Sequence, residues 1–153
     1  MTLPNSARTI RVAGLLAGAL DLAAAIVTNL PRGIGAMAIL QSIASGMLGR
    51  DAYQGGMATA TLGVLAHFFI MFVIAACFYF ASLRLHMLVR HAMIAGLAYG
   101  VAVYAFMNLV VLPLSAFPHA RTFGLATLAT GLLVHMLCVG LPIALVTRQR
   151  STH

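Results

Sequence analysis

The sequence predicts an all-α, polytopic membrane protein: a four-helix bundle of two parallel helical-hairpin repeats with one short interfacial helix. The chain of 153 residues is 62% hydrophobic and 7% charged, whereas soluble domains carry about 25% charged residues. Four apolar segments are long enough to cross a bilayer. The two halves also share a pattern of Gly, His and Leu-Pro positions. We therefore expect residues 1–153 to form a single integral membrane domain.

The predicted crossings follow from the length of the apolar runs, because a bilayer core of about 30 Å requires about 20 apolar residues in a helix. They cover residues 12–30, 57–83, 92–112 and 123–146. Pro31 and Pro113 follow the first and third runs, where a proline ends a helix at little cost. Residues 33–48 predict a short helix at the outer interface. It has no basic face, so we expect it to pack on the bundle as a connecting helix.

Arginines mark the expected topology. All nine basic residues are Arg and are spread between apolar runs, so the net charge of +7 indicates no nucleic-acid surface. Six lie on one side of the arrangement and three on the other: Arg8, Arg11, Arg84, Arg90, Arg148 and Arg150 against Arg32, Arg50 and Arg121. Because basic residues favour the cytoplasmic side, we expect both termini in the cytoplasm.

The N-terminal segment has an alternative interpretation as a cleavable signal peptide. Arg8 and Arg11 precede an apolar run that contains the small residues Ala23 to Ala25. Asp21 within that run argues against cleavage, as does the sequence counterpart of the first helix later in the chain.

An internal duplication is predicted by two constant offsets. The first crossing matches the third at an offset of 82, which pairs Gly14 with Gly96, Gly18 with Gly100, and Leu30-Pro31 with Leu112-Pro113. The second crossing matches the fourth at an offset of 68, which pairs Gly63 with Gly131 and His67 with His135. The difference, 82 − 68 = 14, is close to the length of the interfacial helix. Each unit has two crossings, so a parallel repeat about an axis along the membrane normal is expected. Chance similarity between Gly- and Ala-rich helices is the alternative.

The glycines predict close helix packing. Gly14 with Gly18, and Gly96 with Gly100, form G-x-x-x-G motifs, which let two backbones approach in lipid. The two motifs lie at matching positions of the first and third crossings, which we call helices 1 and 3. This predicts that helices 1 and 3 cross near the repeat axis, or that the two motifs mediate dimerisation. Gly63 and Gly131 each precede a histidine by four residues and lie on the same helix face as that histidine.

A layer of polar residues is predicted inside the membrane. Asp21, His67 and His135 lie near the midpoints of their helices, within a slab about 5 Å thick. Asn108 lies roughly 9 Å further toward the outer side. An isolated carboxylate at this depth costs on the order of 3 kcal/mol, so Asp21 is expected to be partnered or protonated and to face protein.

Three functions are compatible with this layer. The first is an accessory or structural membrane protein in which the polar side chains hold helices together. The second is a proton- or ion-linked protein, which would act as an oligomer because four helices rarely enclose a transport route. The third is a bis-histidine haem-binding redox subunit, with His67 and His135 as ligands and Asp21 orienting an imidazole.

Several chemistries are excluded by composition. The chain has no Lys or Glu and only two Asp, and it contains no Gly-x-Ser-x-Gly, so a hydrolase or nucleotide-binding enzyme is not expected. Cys77 and Cys138 lie inside apolar runs and are predicted to be buried structural thiols. The expected partners are the lipid bilayer and a second copy or a membrane-complex subunit, with no nucleic acid.

A weak family resemblance is carried by His67-Phe68-Phe69, by Val134-His135-Met136 and by the four-crossing layout. In these features the chain resembles small bacterial inner-membrane proteins of unknown function, and faintly the YagU-like group linked to acid resistance. The resemblance covers most of helices 2 and 4 but little of the outer loop. It implies a bacterial inner-membrane location and a stress role, and it carries over no catalytic residue.

Overall fold

Four long helices dominate the computed structural model, which describes residues 3–118 and 124–151. They are long and apolar enough to cross a membrane, as in a multi-pass membrane protein. We name them span 1 (Ser6–Arg32), span 2 (Gly56–Arg84), span 3 (Ala92–Leu114) and span 4 (Leu125–Arg150). The helices that form spans 1 and 4 extend further, to Leu3 and to Ser151. The elements of the described ranges are all helical, which confirms the predicted all-α bundle.

Two spans are regular and two change helix type. Span 1 is the α-helix Leu3–Asn29 followed by the 3-10 turn Leu30–Arg32, and span 2 is the α-helix Gly56–Arg84. Span 3 consists of Ala92–Phe106 (α), Met107–Val111 (π) and Leu112–Leu114 (α), and span 4 of Leu125–Val134 (α), His135–Gly140 (π) and Leu141–Ser151 (α). The connections contain the α-helix Ala36–Leu48, which we call the distal helix, the 3-10 helix Gly49–Gln54 and the short α-helix Met87–Arg90.

The observed helices extend beyond the predicted crossings. The first α-helix begins at Leu3 rather than at residue 12, and the last continues to Ser151 rather than 146. These extensions are polar, and the sequence prediction measured only the apolar run. The predicted interfacial helix begins at Ala36 instead of residue 33, because Gly33 has the left-handed φ of 74° that ends the preceding turn. The predicted start of the fourth crossing, residue 123, lies outside the described residues.

Span pairs are joined by glycine contacts, and these contacts correct one prediction. Gly14 and Gly18 of span 1 pack on the side chains of Phe72 and Phe68 of span 2. A β-carbon at Gly96 of span 3 would lie 2.9 Å from the Gly140 carbonyl oxygen of span 4. Each G-x-x-x-G motif therefore faces the other helix of its own hairpin. Helices 1 and 3 do not use these glycines to cross each other as we expected, because both motifs are already covered within their hairpins.

The same contacts occur at equivalent positions of the two hairpins. The Gly18 to Phe68 contact corresponds to a contact between Gly100 and Met136, since 18 + 82 = 100 and 68 + 68 = 136. The Gly14 to Phe72 contact corresponds in the same way to Gly96 and Gly140. The offsets that relate the sequences thus also relate the packing.

Both π-helices precede a Leu-Pro pair. Met107–Val111 is followed by Leu112-Pro113, and His135–Gly140 by Leu141-Pro142. A proline inside a helix removes one backbone donor and collides with the carbonyl four residues before it. In membrane helices, local π or 3-10 widening relieves this collision and satisfies the displaced carbonyls. Span 4 therefore continues through Pro142 instead of ending there.

Close packing is concentrated in the half of the bundle that contains the chain termini, which we call the terminal half. The residues with almost no exposure there are mainly small, and they include Ala13, Ala17, Ala75, Ala92 and Ala144. The Tyr99 hydroxyl of span 3 donates a hydrogen bond of 2.8 Å to the Ile74 carbonyl of span 2. Small side chains let backbones approach, which is the main route to helix association in lipid.

The two cysteines differ from their prediction. Cys77 is exposed on the surface of span 2, and Cys138 is half-buried. The apolar run around Cys77 predicts a place inside the bilayer, but it does not predict burial inside the protein.

We predict that Gly140→Ala destabilises the protein. The atoms nearest to the added methyl group are backbone atoms of Gly96 and Gly100, which cannot rotate away. We expect the free energy of unfolding to fall by about 1–3 kcal/mol, as for other overpacked sites. Unfolding in mixed micelles, followed by circular dichroism, measures this change.

Gly46→Ala in the distal helix is the matched control. Its methyl group meets only the Ser115 side chain, at 3.8 Å, and alanine is favoured over glycine in a helix by roughly 1 kcal/mol. Equal destabilisation by the two variants would contradict the proposed backbone contact.

Candidate functional site

A cavity of about 750 Å³ lies among the spans on the side away from the chain termini. Its volume is within the range of ligand pockets in proteins, about 300–1,000 Å³. All four spans contribute to the wall, together with the distal helix and the loop that follows span 3. The wall is mainly apolar, and its ionisable residues are Asp21, His67 and His135.

Span 2 supplies the longest part of the wall, between Leu62 and Ile74, and span 3 lines the cavity from Val103 to Leu112. The Tyr99 to Ile74 hydrogen bond joins these two spans at the inner limit of the cavity. Leu65 and Phe69 belong to the wall and are 65% and 68% exposed, so the wall continues onto the outer apolar surface. The cavity is therefore open sideways, toward the acyl chains in a bilayer.

The distal helix covers the outer end of the cavity. The Gln41 side chain donates to the Gly56 carbonyl oxygen at 3.2 Å, and a methyl group at Gly63 would collide with the Leu40 carbonyl. The last turn of the helix has carbonyls without intrahelical partners, and that of Gly46 accepts a bond of 2.9 Å from the Ala116 amide. These contacts join the helix to span 2 on one side and to the loop after span 3 on the other, which confirms its predicted packing on the bundle.

His67 links two spans through a backbone hydrogen bond. Its Nε2 lies 2.9 Å from the Gly18 carbonyl oxygen, and the side chain is 8% exposed. A carbonyl oxygen can only accept, so Nε2 carries the proton. In the neutral ring, Nδ1 then has a lone pair and no proton. The absence of a side chain at Gly18 lets the histidine reach the backbone of span 1.

His135 occupies the equivalent position of span 4 but makes a different bond. Its Nδ1 lies 2.9 Å from the carbonyl oxygen of Gly131, four residues earlier in the same span. Its ring also packs edge-on against Tyr104 of span 3, with centroids 5.3 Å apart. By the same argument Nδ1 carries the proton, and Nε2 of the neutral ring is an acceptor. His135 is the first residue of a π-helix, whereas His67 lies in a regular α-helix.

Asp21 lies in the cavity wall and is half-buried. In the described ranges its carboxylate forms neither a hydrogen bond nor an ion pair, and both histidines bond to carbonyl oxygens instead. The polar layer is thus assembled around one cavity, but its members are not joined to one another.

Asn108 and the remaining glycine contacts lie outside the polar layer. The Asn108 side chain donates a bond of 2.7 Å to the Tyr104 carbonyl, where span 3 changes from α to π geometry. It supports the helix rather than lining the cavity. Gly131 packs against the Tyr104 ring, whereas Gly63 packs on the distal helix, so these two paired glycines have different neighbours.

The cavity wall contains two histidines, the ligands that the predicted haem site would use. Within residues 3–118 and 124–151 no three His, Cys, Asp or Glu side chains are grouped to hold a metal ion. Each imidazole donates one N–H to a backbone carbonyl, as ligand histidines commonly do, and in the neutral ring keeps a lone pair on its other nitrogen. Among the described residues, no arginine lines the cavity to bind haem propionates. Bis-histidine haem ligation stays a prediction from the sequence alone.

Two features of the site escaped the sequence analysis. Tyr104 contacts both His135 and Gly131, and a side chain that joins span 3 to span 4 cannot be identified without knowing how each helix is rotated. The π-helix at His135 had a visible signal, since Pro142 lies inside an apolar run long enough to span the membrane.

No family model, curated protein or solved structure matches this chain.

We predict opposite tautomers for the two intramembrane histidines. His67 should be protonated at Nε2 and His135 at Nδ1, because these nitrogens face carbonyl oxygens. Imidazole ¹⁵N chemical shifts of labelled protein in lipid distinguish the two forms. Identical tautomers at both sites would contradict the assignment.

His67→Leu should lower the unfolding free energy by about 0.6–1.7 kcal/mol, because it removes a hydrogen bond between two spans. His135→Leu should lower it by less, because the His135 bond joins two residues of one span.

Proposed function

We propose that the protein binds an apolar molecule drawn from the bilayer. The observation that carries this proposal is the cavity of about 750 Å³, which is apolar, reaches the lipid-facing surface and contains a few convergent polar side chains. Such a combination is typical of binding sites for small organic ligands. Because most of the lining is apolar, the cavity suits an apolar occupant.

The three residues of the polar layer differ in burial, and we assign them two roles. His67 is buried and joins span 1 to span 2, which supports the structural role predicted for this layer. Asp21 and His135 are less buried and line the same cavity. We assign to them the contacts with the bound molecule, and to His67 the fixing of the wall on which Asp21 lies.

Proton- or ion-linked action as an oligomer is the second candidate function. One observation favours it: Asp21 is a titratable group in the cavity wall with neither a hydrogen bond nor an ion pair in the described ranges. Ionisable residues inside membrane domains commonly mark such pathways. Flux measurements in liposomes that contain the purified protein test this candidate, and unchanged flux in Asp21→Asn would contradict it.

We further propose a bacterial inner-membrane location with both termini in the cytoplasm. Support comes from the six arginines at the ends and connection of the terminal half, against three at the opposite side. Green fluorescent protein fused to the C-terminus is expected to fluoresce, because it matures in the cytoplasm but not after export. Activity of alkaline phosphatase fused at the same position would contradict this orientation.

The duplicated hairpin and the membrane partner remain proposals as well. The matched Gly18 to Phe68 and Gly100 to Met136 contacts support the duplication, because unrelated helices have no reason to repeat both sequence and packing offsets. Related sequences with more similar halves would strengthen it, and halves that diverge at these glycines would contradict it.

The poorly buried faces of the spans support contact with acyl chains. A second copy or another subunit on these faces can be detected by crosslinking in membranes.

Filling the cavity should abolish binding. Ala25 and Ala66 lie in the wall on spans 1 and 2, so Ala25→Phe with Ala66→Phe places two aromatic rings in the space. We expect an apolar molecule to co-purify with the wild type and to fall to the background level in the double variant. Native mass spectrometry from nanodiscs measures the bound mass.

Ala23→Phe is the matched control, because Ala23 is exposed on span 1 and does not line the cavity. It should retain the bound molecule. Equal retention by the filled variant and this control would show that the cavity is not the binding site.

A further inference from the structure

The hydrogen-bonding character of the cavity wall restricts what can bind there. His67 donates through Nε2 to Gly18 and His135 donates through Nδ1 to Gly131, so each neutral ring keeps only a lone pair. An ionised Asp21 also offers acceptors alone. With Asp21 ionised and both rings neutral, the three ionisable side chains of the wall accept hydrogen bonds and have no proton left to donate.

The hydroxyl groups of the wall change this conclusion little. Ser115 donates to the Leu112 carbonyl oxygen at 2.8 Å and accepts from the Phe117 amide at 3.2 Å, so both of its roles are used locally. Ser42 is the remaining hydroxyl and lies on the distal helix, at the outer end of the cavity. A ligand group near Asp21 must consequently supply the donors itself.

The charge of the wall points in the same direction. Asp21 is the one carboxylate there, and no arginine of the described ranges lines the cavity. An unpaired carboxylate inside a bilayer is costly, and it is stabilised by a cation within hydrogen-bond distance. An anionic ligand would meet both like charge and acceptor atoms. A neutral alcohol would donate one bond but leave the charge uncompensated.

We propose that the ligand is a lipophilic cation, an apolar body that carries a protonated amine, and that Asp21 binds the ammonium group. This inference rests on the proposed binding function. The ammonium group has three donors and no acceptor, which complements a wall of acceptors. The apolar body lies along spans 2 and 3, and the sideways opening admits it from the bilayer.

Three probes with the same dodecyl chain test the head group. Radiolabelled dodecylammonium, dodecanol and dodecanoate are titrated onto the full chain in zwitterionic nanodiscs, and binding to empty nanodiscs is subtracted. We expect saturable binding of dodecylammonium, about tenfold or more tighter than dodecanol, and no saturable binding of dodecanoate; a tenfold ratio corresponds to about 1.4 kcal/mol.

Asp21→Asn should remove the preference for the ammonium probe and leave dodecanol affinity unchanged, which also shows that the cavity is intact. Asp51→Asn is the matched control, because it removes the other carboxylate of the chain from the exposed segment Gly49–Gln54. It should bind all probes as the wild type does. If Asp21→Asn does not fold, the order of the three probes on the wild type alone decides the proposal.

The outcomes separate this proposal from the binding function beneath it. Equal binding of dodecylammonium and dodecanol, stronger binding of dodecanoate, or an unchanged ammonium preference in Asp21→Asn would each overturn the cationic ligand while keeping the apolar site. Failure of all three probes to bind saturably to the folded protein would overturn both.

Discussion

Helix association in lipid depends on how closely backbones can approach, because apolar side chains gain little by exchanging acyl chains for one another. In this protein the close approaches are at glycine, with Gly18 against Phe68 in one hairpin and Gly100 against Met136 in the other. These contacts, and the alanines buried near them, hold the terminal half together. Side chains with greater volume line the space beyond, where spans 2 and 3 face one cavity. The cavity is thus the consequence of concentrating small residues in the other half of the bundle.

The two paired histidines both satisfy a ring nitrogen on a carbonyl oxygen, but they reach different helices. His67 reaches the carbonyl of Gly18 on the neighbouring span, whereas His135 bonds to Gly131 in its own span. The second hairpin has a π-helix at this point, imposed by Pro142, and its extra residue per turn changes the direction of the side chains. Both histidines line the cavity, but only His67 also links two spans through its hydrogen bond.

The sequence predicted the number and order of the spans, because hydrophobic length determines them. The common depth of Asp21, His67 and His135 stays a prediction from helical rise, although all three side chains line one cavity. It did not predict which helix each glycine faces, since periodicity gives a face but not its neighbour. The G-x-x-x-G motifs therefore received the wrong partner helix, while Gly96 in fact packs on Gly140. The tautomers of the histidines depend on contacts across the bundle and were inaccessible for the same reason. Whether the three polar residues form a functional site is a separate matter that neither length nor depth addresses.

The distal helix breaks the symmetry between the hairpins. If the two offsets of 82 and 68 record a duplication, the difference of 14 residues is close to the 13 residues of this helix, Ala36–Leu48. In its described part, the connection between spans 3 and 4 has no helix of comparable length, although Ser115 and Phe117 also line the cavity. Gln41 binds it to span 2, and Gly46 accepts a hydrogen bond from Ala116 beyond span 3. The distal helix thereby determines which face of the bundle is closed from outside, leaving access from the side through the bilayer.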